Sequence, residues 1–247
     1  EHPELGQKFT YAGAPYLLAI PLAVLCVAAI GFALEATIVR RALYDQGEHG
    51  SIIVTFAISQ AIVAAIILVV GPDPLPVPSP FGQTAVSAGG FFLSAQRIFI
   101  AAASVAVLAG FALWLRRSVK GQQILAVSQN ARGALYSGIN VPLIRSLSFL
   151  LGIAAAGLAG ALMGPMISAF PTMGDANVIV AFTVVILGGL GSIGGAMLGA
   201  LVIGLGNALF ETYVSVSWTP ALGWVLVILV LLLRPQGLMG RAQLDRH

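Results

Sequence analysis

Residues that could do bond-breaking chemistry are few in this sequence, and their spacing does not gather them. Of three histidines, His2 and His247 are terminal and His49 lies beside Glu48 in what reads as a short polar loop. With Cys26 as the single cysteine, no H-E-x-x-H and no C-x-x-C pair exists, so a metal centre is not expected. Cys26 sits in an apolar run, where it serves as a small hydrophobe. No G-x-x-x-x-G-K-[ST] loop is present to cradle a nucleotide phosphate. The glycines Gly188, Gly189, Gly191, Gly194 and Gly195 resemble a nucleotide loop in composition only. Such a loop joins a strand to a helix in a soluble βαβ unit, whereas these glycines are flanked by long apolar runs. Close helix packing or a tight turn is their simplest reading, and a contribution to a substrate path is the functional alternative. No catalytic residue, metal or cofactor is expected.

Two carboxylates interrupt apolar runs, where charge is costly enough to raise a functional question. Glu35 stands five residues before Arg40, which suits pairing or snorkelling at a membrane interface. Glu211, in Asn207-Ala-Leu-Phe-Glu211-Thr-Tyr213, is placed near the outer end of its helix, at an interface or at the mouth of a pathway.

The elements carrying these residues are membrane spans. The chain of 247 residues is 58% hydrophobic and 9% charged, with a mean hydropathy of +0.97; a soluble domain carries roughly 25% charged residues. This composition excludes a water-soluble fold and leaves no room for a sizeable soluble domain. The net charge of +3 reports orientation in a bilayer, not nucleic-acid binding. An all-α fold follows, a polytopic transmembrane helix bundle of about seven spans with residues 1–247 as one membrane domain. Spans are expected at Tyr16–Val39, Ser51–Gly71, Ile98–Leu115 and Ser146 to about Ser168. Two more flank the glycine cluster, the first of them Asn177–Leu187, and Pro220–Leu233 is the last. Asn177–Leu187 is only about 16 Å long as a helix, so it either extends through the glycines or is a shielded half-helix. Pro74, Pro76, Pro78 and Pro80 exclude helix, and their segment must lie outside the membrane or inside protein. Gly160-x-x-x-Gly164 allows close helix approach, as do Gly195 and Gly199. Trp114, Trp218 and Trp224 read as interface anchors, with Trp224 also suited to packing.

Seven crossings place ten of the twelve basic residues on one side: Arg40, Arg41, Arg116, Arg117, Lys120, Arg132, Arg145, Arg234, Arg241 and Arg246. Lys8 and Arg97 remain on the other. By the positive-inside rule the first side is cytoplasmic, and the proline-rich segment is external.

Residues 118–145 form a basic cytoplasmic interval with amphipathic character. Ile124, Leu125 and Val127 precede a break, and Ala134, Leu135, Gly138 and Ile139 then recur at helical spacing. One short helix lying across the membrane face, offering an apolar knob to a soluble partner and flanked by Arg132 and Arg145, explains the pattern.

Three stretches resemble the branched-chain amino acid ABC transporter permeases: Ala126–Arg145, the run Val185-Ile-Leu-Gly-Gly-Leu-Gly-Ser-Ile-Gly-Gly-Ala-Met-Leu-Gly199, and the ending Leu231-Leu-Leu-Arg-Pro-Gln-Gly-Leu-Met-Gly-Arg241. They follow the family order and cover roughly half the chain. In that family the cytoplasmic interval resembles the "EAA" coupling loop that docks on the ATPase. Here Ala131-Arg132-Gly133-Ala134 replaces the usual acidic-alanine residues. The family also has helices ahead of Tyr16, with an Asn-Phe-Ala-His-Gly-Glu-like motif that is absent here, so the chain is expected to lack N-terminal helices.

The resemblance implies one permease subunit of an ABC importer in the bacterial cytoplasmic (inner) membrane, forming half of an alternating-access path. Its implied partners are a second permease subunit, two ABC ATPase subunits that bind the ATP, and an external solute-binding protein. Arg132, Ala134, Leu135, Gly138 and Ile139 would be the ATPase-coupling residues; Gly160, Gly164, Gly188, Gly189, Gly191, Gly195, Gly199 and Glu211 would serve helix packing or the pathway. Branched-chain amino acids are the implied substrates, with urea and short amides carried by related permeases. The rival reading is a stand-alone channel or secondary transporter, which would rely on intramembrane ionisable residues.

Overall fold

The computed structural model describes residues 16–77, 85–88, 91–189, 191–213, 223, 225, 227–230, 232 and 237–239. Helices α1 (Tyr16–Leu34) and α2 (Arg40–Val70) are joined by a π-helical turn, Glu35–Val39. A two-stranded antiparallel hairpin, β1 (Ala85–Ala88) and β2 (Phe91–Ser94), precedes α3 (Ala95–Arg117). Then come α4 (Val119–Gln129), α5 (Ala131–Tyr136), α6 (Val141–Ile167), α7 (Met173–Gly188) and α8 (Ile193–Tyr213). The polytopic helical bundle is thus the fold, with one small hairpin added.

Five helical segments are long and apolar enough to cross a bilayer: Leu18–Val39, Ile53–Val70, Ala95–Arg117, Val141–Ile167 and Gly194–Tyr213. Among the described residues the expected count of seven is not reached. α7 is apolar but has only 16 residues, about 24 Å against a core of roughly 30 Å. It lengthens the expected Asn177–Leu187 helix at its N-terminal end and stops at Gly188, not running through the glycines. Half of the last expected span, Pro220–Leu233, lies outside the described residues, as do Trp218, Trp224, Pro78 and Pro80.

The polar loop expected around His49 is helical instead, since α2 begins at Arg40. Arg40–Gly50 contains no proline, and good helix formers carry the chain past Gly47 and Gly50. α1 likewise continues through Pro21.

The chain divides into two compact units, Glu1–Pro171 and Thr172–His247. In the first, α6 is the axis. α1 packs along it antiparallel. A Cβ built on Gly31 would lie 2.7 Å from Ile153 Cγ2, and one on Gly157 would lie 3.2 Å from Val27 Cβ. The absence of a side chain at two positions therefore lets the backbones approach, which in lipid substitutes for the missing hydrophobic drive. At the far end of α6, Leu75 and Ala169 exchange backbone hydrogen bonds of 2.8 and 2.9 Å, and Gly164 faces Val77 at 3.5 Å.

These contacts fix a direction. Glu35 lies against Ser146 near the start of α6, and Leu75 against Ala169 beyond its end. Residues 146 and 169 are about 34 Å apart along a helix, so the chain between Arg40 and Leu75 returns along the length of α6. Pro72–Pro76 and Ser168–Pro171 share one end of the unit, and Arg40 and Ser146 share the other.

In the second unit α7 and α8 form an antiparallel hairpin about the glycine cluster. Many large apolar side chains on the helices of both units are exposed, among them Leu68 and Val69 on α2, Phe182 on α7 and Leu205 on α8, as expected where lipid replaces water.

In a Cys26→Ser background, a cysteine replacing exposed Asp73 should label with a membrane-impermeant maleimide from outside, and one replacing exposed Tyr136 only after the cytoplasmic face is opened. Labelling of both from the same side would refute the orientation.

Candidate functional site

The interval between α3 and α6 is built from capped short helices. Ser118 accepts the Gly121 amide at 2.9 Å and starts α4. Gly121 is buried against the Leu115 backbone, so the chain turns sharply out of the membrane helix there. Asn130 Oδ1 then accepts from Gly133 N at 2.9 Å and opens α5, and Asn140 Oδ1 accepts from Leu143 N at 3.1 Å and opens α6. Each cap satisfies an N–H that the helix itself leaves unpaired.

The single helix expected across the membrane face is therefore two, of 11 and 6 residues, broken because Asn130 prefers a cap to a helix interior. α5 ends in a Schellman arrangement: Ile139 N donates to Ala134 O at 3.0 Å and Gly138 N to Leu135 O at 3.0 Å. Gly138 has φ +78°, the left-handed conformation that costs an L-residue roughly 1–2 kcal/mol.

The five residues expected to couple to an ATPase consequently have different placements. Ala134 is buried, Ile139 half-buried, and Arg132, Leu135 and Gly138 exposed. They do not share one face, because α5 ends at Tyr136 and the last two lie beyond it. Leu135 is 58% and Tyr136 88% exposed, side by side. Tyr136 escaped the sequence reading, although an aromatic residue just before a helix-ending glycine was a signal for it. Behind the knob Val141 is buried and Ile144 is 1% exposed, so the start of α6 is held firmly in the unit.

Glu35 pairs with Arg40, as its spacing suggested. Arg40 Nη2 lies 3.2 Å from Glu35 Oε2, and Ser146 Oγ donates to Glu35 Oε1. The carboxylate is 5% exposed and sits in the π-helical turn.

In the second unit the glycines divide by role. Gly188 and Gly195 meet backbone to backbone, with no space for a Cβ on either, and a Cβ on Gly199 would lie 2.6 Å from Val184 O. Ser192 Oγ accepts from Gly195 N at 3.0 Å and caps α8, Gly189 is buried beyond the α7 terminus, and Gly191 is exposed in the turn. A feature the sequence reading missed is what closes α7. Leu238 N donates to Leu187 O at 2.9 Å and Met239 N to Gly188 O at 3.0 Å, while Gly237, at φ +77°, abuts the Gly189 backbone. The Gly-rich run and Gly237-Leu238-Met239 are thus two halves of one contact.

Gly160 has nothing within 4 Å of a built Cβ, and α1 uses Gly157 for its approach instead. Glu211 is exposed near the end of α8. On the stripe Gly195, Gly199, Ile203, Asn207, the Asn207 Oδ1 is buried with no hydrogen-bond partner among the described residues. Such an acceptor costs about 1–3 kcal/mol unless something supplies a donor. No group of three metal-ligating side chains occurs among the described residues.

The family described as "Branched-chain amino acid transport system / permease component" matches residues 6–234. The chain belongs to that family. Permeases of this kind are transport subunits and not enzymes. Among relatives, the chain is 36% identical over 135 residues to the Escherichia coli K12 high-affinity branched-chain amino acid transport system permease protein LivH, covering 54% of this chain and 44% of LivH. It is 34% identical over 176 residues to the Pseudomonas aeruginosa permease protein BraD, covering 71% and 57%. It is 32% identical over 137 residues to the Bacillus subtilis ribose import permease protein RbsC, covering 51% and 42%. The chain spans about half the length of the curated relatives it matches. No solved structure matches it.

Replacing Gly188 with Ala should destabilise the permease by about 1–3 kcal/mol through overpacking, read as a lower melting midpoint in detergent. Gly160→Ala should leave that midpoint unchanged. Equal losses at both positions would contradict the assignment of backbone contact to Gly188.

Proposed function

We propose that this chain is a membrane permease subunit of an ATP-driven ABC importer of the bacterial cytoplasmic membrane, carrying branched-chain amino acids. It forms half of an alternating-access path with a second permease subunit, is driven by two ATPase subunits, and receives solute from an external binding protein. The observation that carries this reading is the Leu135–Tyr136 knob. It stands exposed on a turn capped at both ends, between helices long enough to cross the membrane.

An apolar pair held rigidly outside the hydrocarbon suits a groove on a soluble protein. A lipid-surface helix is the weaker account, because α5 has only six residues and shows no continuous apolar face. Within this function Leu135 and Tyr136 insert into the ATPase, Arg132 flanks the contact, and Ala134, Gly138 and Ile139 hold the turn's shape. The α7–α8 hairpin, packed through Gly188, Gly195 and Gly199, borders the path, with Gly189 and Gly191 shaping its turn and Glu211 at its outer mouth. The close approach at Gly164 supports the α6 wall, and Gly160 is left free for a partner helix. Support for amino-acid cargo comes from the relatives named for branched-chain amino acid transport. A stand-alone transporter is disfavoured by family membership and by the pairing of Glu35 with Arg40, which removes one of the two intramembrane carboxylates from coupling to an ion gradient.

Changing Leu135 and Tyr136 together to Asp should leave the permease inserted while weakening ATPase co-purification. Uptake of labelled leucine should fall by roughly thirtyfold or more, the effect of losing an interface anchor worth about 2 kcal/mol. Undiminished co-purification and uptake would overturn the proposal.

A further inference from the structure

We infer that Glu35 is a positioning residue that carries displacement of the cytoplasmic knob into α1, through a clamp formed with Ser146 and Arg40. The inference rests on the proposed role of the knob and adds the route by which its motion reaches the membrane helices.

The route is short and its parts are rigid. From Tyr136 the chain passes through the Schellman turn, with bonds of 3.0 Å at Gly138 and Ile139, to the Asn140 cap of α6. Ile144, two residues before Ser146, is almost fully buried, so the first turns of α6 move with the knob. Ser146 bonds to the π-helical turn that directly continues α1. Its hydroxyl donates to Glu35 Oε1 and accepts from Arg40 Nη2 at 3.2 Å, while Arg40 Nε and Nη2 reach the two carboxylate oxygens at 3.4 and 3.2 Å. Three side chains from two segments, separated by more than a hundred residues, therefore share one polar centre.

An apolar contact in the same place would let α1 slide, since dispersion is non-directional. A buried carboxylate is different: it cannot be left without its partners, so the turn that ends α1 follows Ser146. Glu35 also begins the π-helical turn. Such turns are marginal interruptions of α-helical pairing that occur at functional sites, and this one places the yielding point of α1–α2 immediately beside the clamp. A push on Ser146 then tilts α1 about residues 35–39 without bending α1 itself, whose close contacts at Gly31 and Gly157 keep it on α6.

The test uses the permease reconstituted with its ATPase subunits, comparing wild type, Ser146→Ala and Glu35→Gln. Both variants should retain ATPase co-purification and ATP hydrolysis while solute moved per ATP falls at least about fivefold, the lower range for coupling between sites. In a Cys26→Ser background, cysteines at 35 and 146 joined by a short bifunctional thiol linker should restore solute moved per ATP relative to the unlinked pair. A merely structural role would not be rescued that way. Unchanged solute per ATP in both single variants, or loss of ATPase association along with transport, or no recovery on linking, would overturn the inference. Failure of the knob itself is read separately, from co-purification of the Leu135 and Tyr136 variant.

Discussion

Lipid offers no hydrogen bond to a peptide group, so each helix end that is not in water has to be closed by the chain itself. Much of the local architecture follows from that constraint. α7 is too short to cross a bilayer alone, and its last carbonyls, Leu187 and Gly188, are met by the amides of Leu238 and Met239. The distant ending of the chain is thereby a structural part of the glycine turn. Gly237 is required there because its φ of +77° and the nearby Gly189 backbone leave no place for a side chain. The exchanged bonds of Leu75 and Ala169 close the opposite kind of gap, where Pro74 and Pro76 forbid helix and the backbone must find a partner elsewhere.

Packing follows a second consequence of the same solvent. Burial of apolar surface drives little association in lipid, so helices associate where backbones can approach and where polar groups can pair. Both devices join α1 to α6. Gly31 and Gly157 bring the helices close along their length, and Glu35, Arg40 and Ser146 pin them at one end. The pin fixes axial register, which small-residue contacts alone leave free.

The same division separates the two faces of the interval between α3 and α6. Its inner side, through Gly121, Ala134 and Ile144, is buried in the unit, and its outer side presents Leu135 and Tyr136. Short helices with side-chain caps at Ser118, Asn130 and Asn140 make the interval stiff. A stiff projection between two membrane helices can transmit force, which a free loop cannot.

Composition and hydropathy alone established a helical membrane protein, and the order of three motifs alone pointed to the family, because both depend on residue type along the chain. Pairing of Glu35 with Arg40 was also legible, being a contact between residues five apart. What the tertiary structure decided were matters of distance between remote residues: Gly157 and not Gly160 at the α1 contact, Ser146 as the third member of the clamp, and the Leu238–Met239 amides on α7. The helical continuity through His49 and the outward turn of Leu135 and Tyr136 were decided there too. A helix has small residues on several faces and caps at several candidate positions, and only the neighbour that arrives from elsewhere in the chain selects which of them is used.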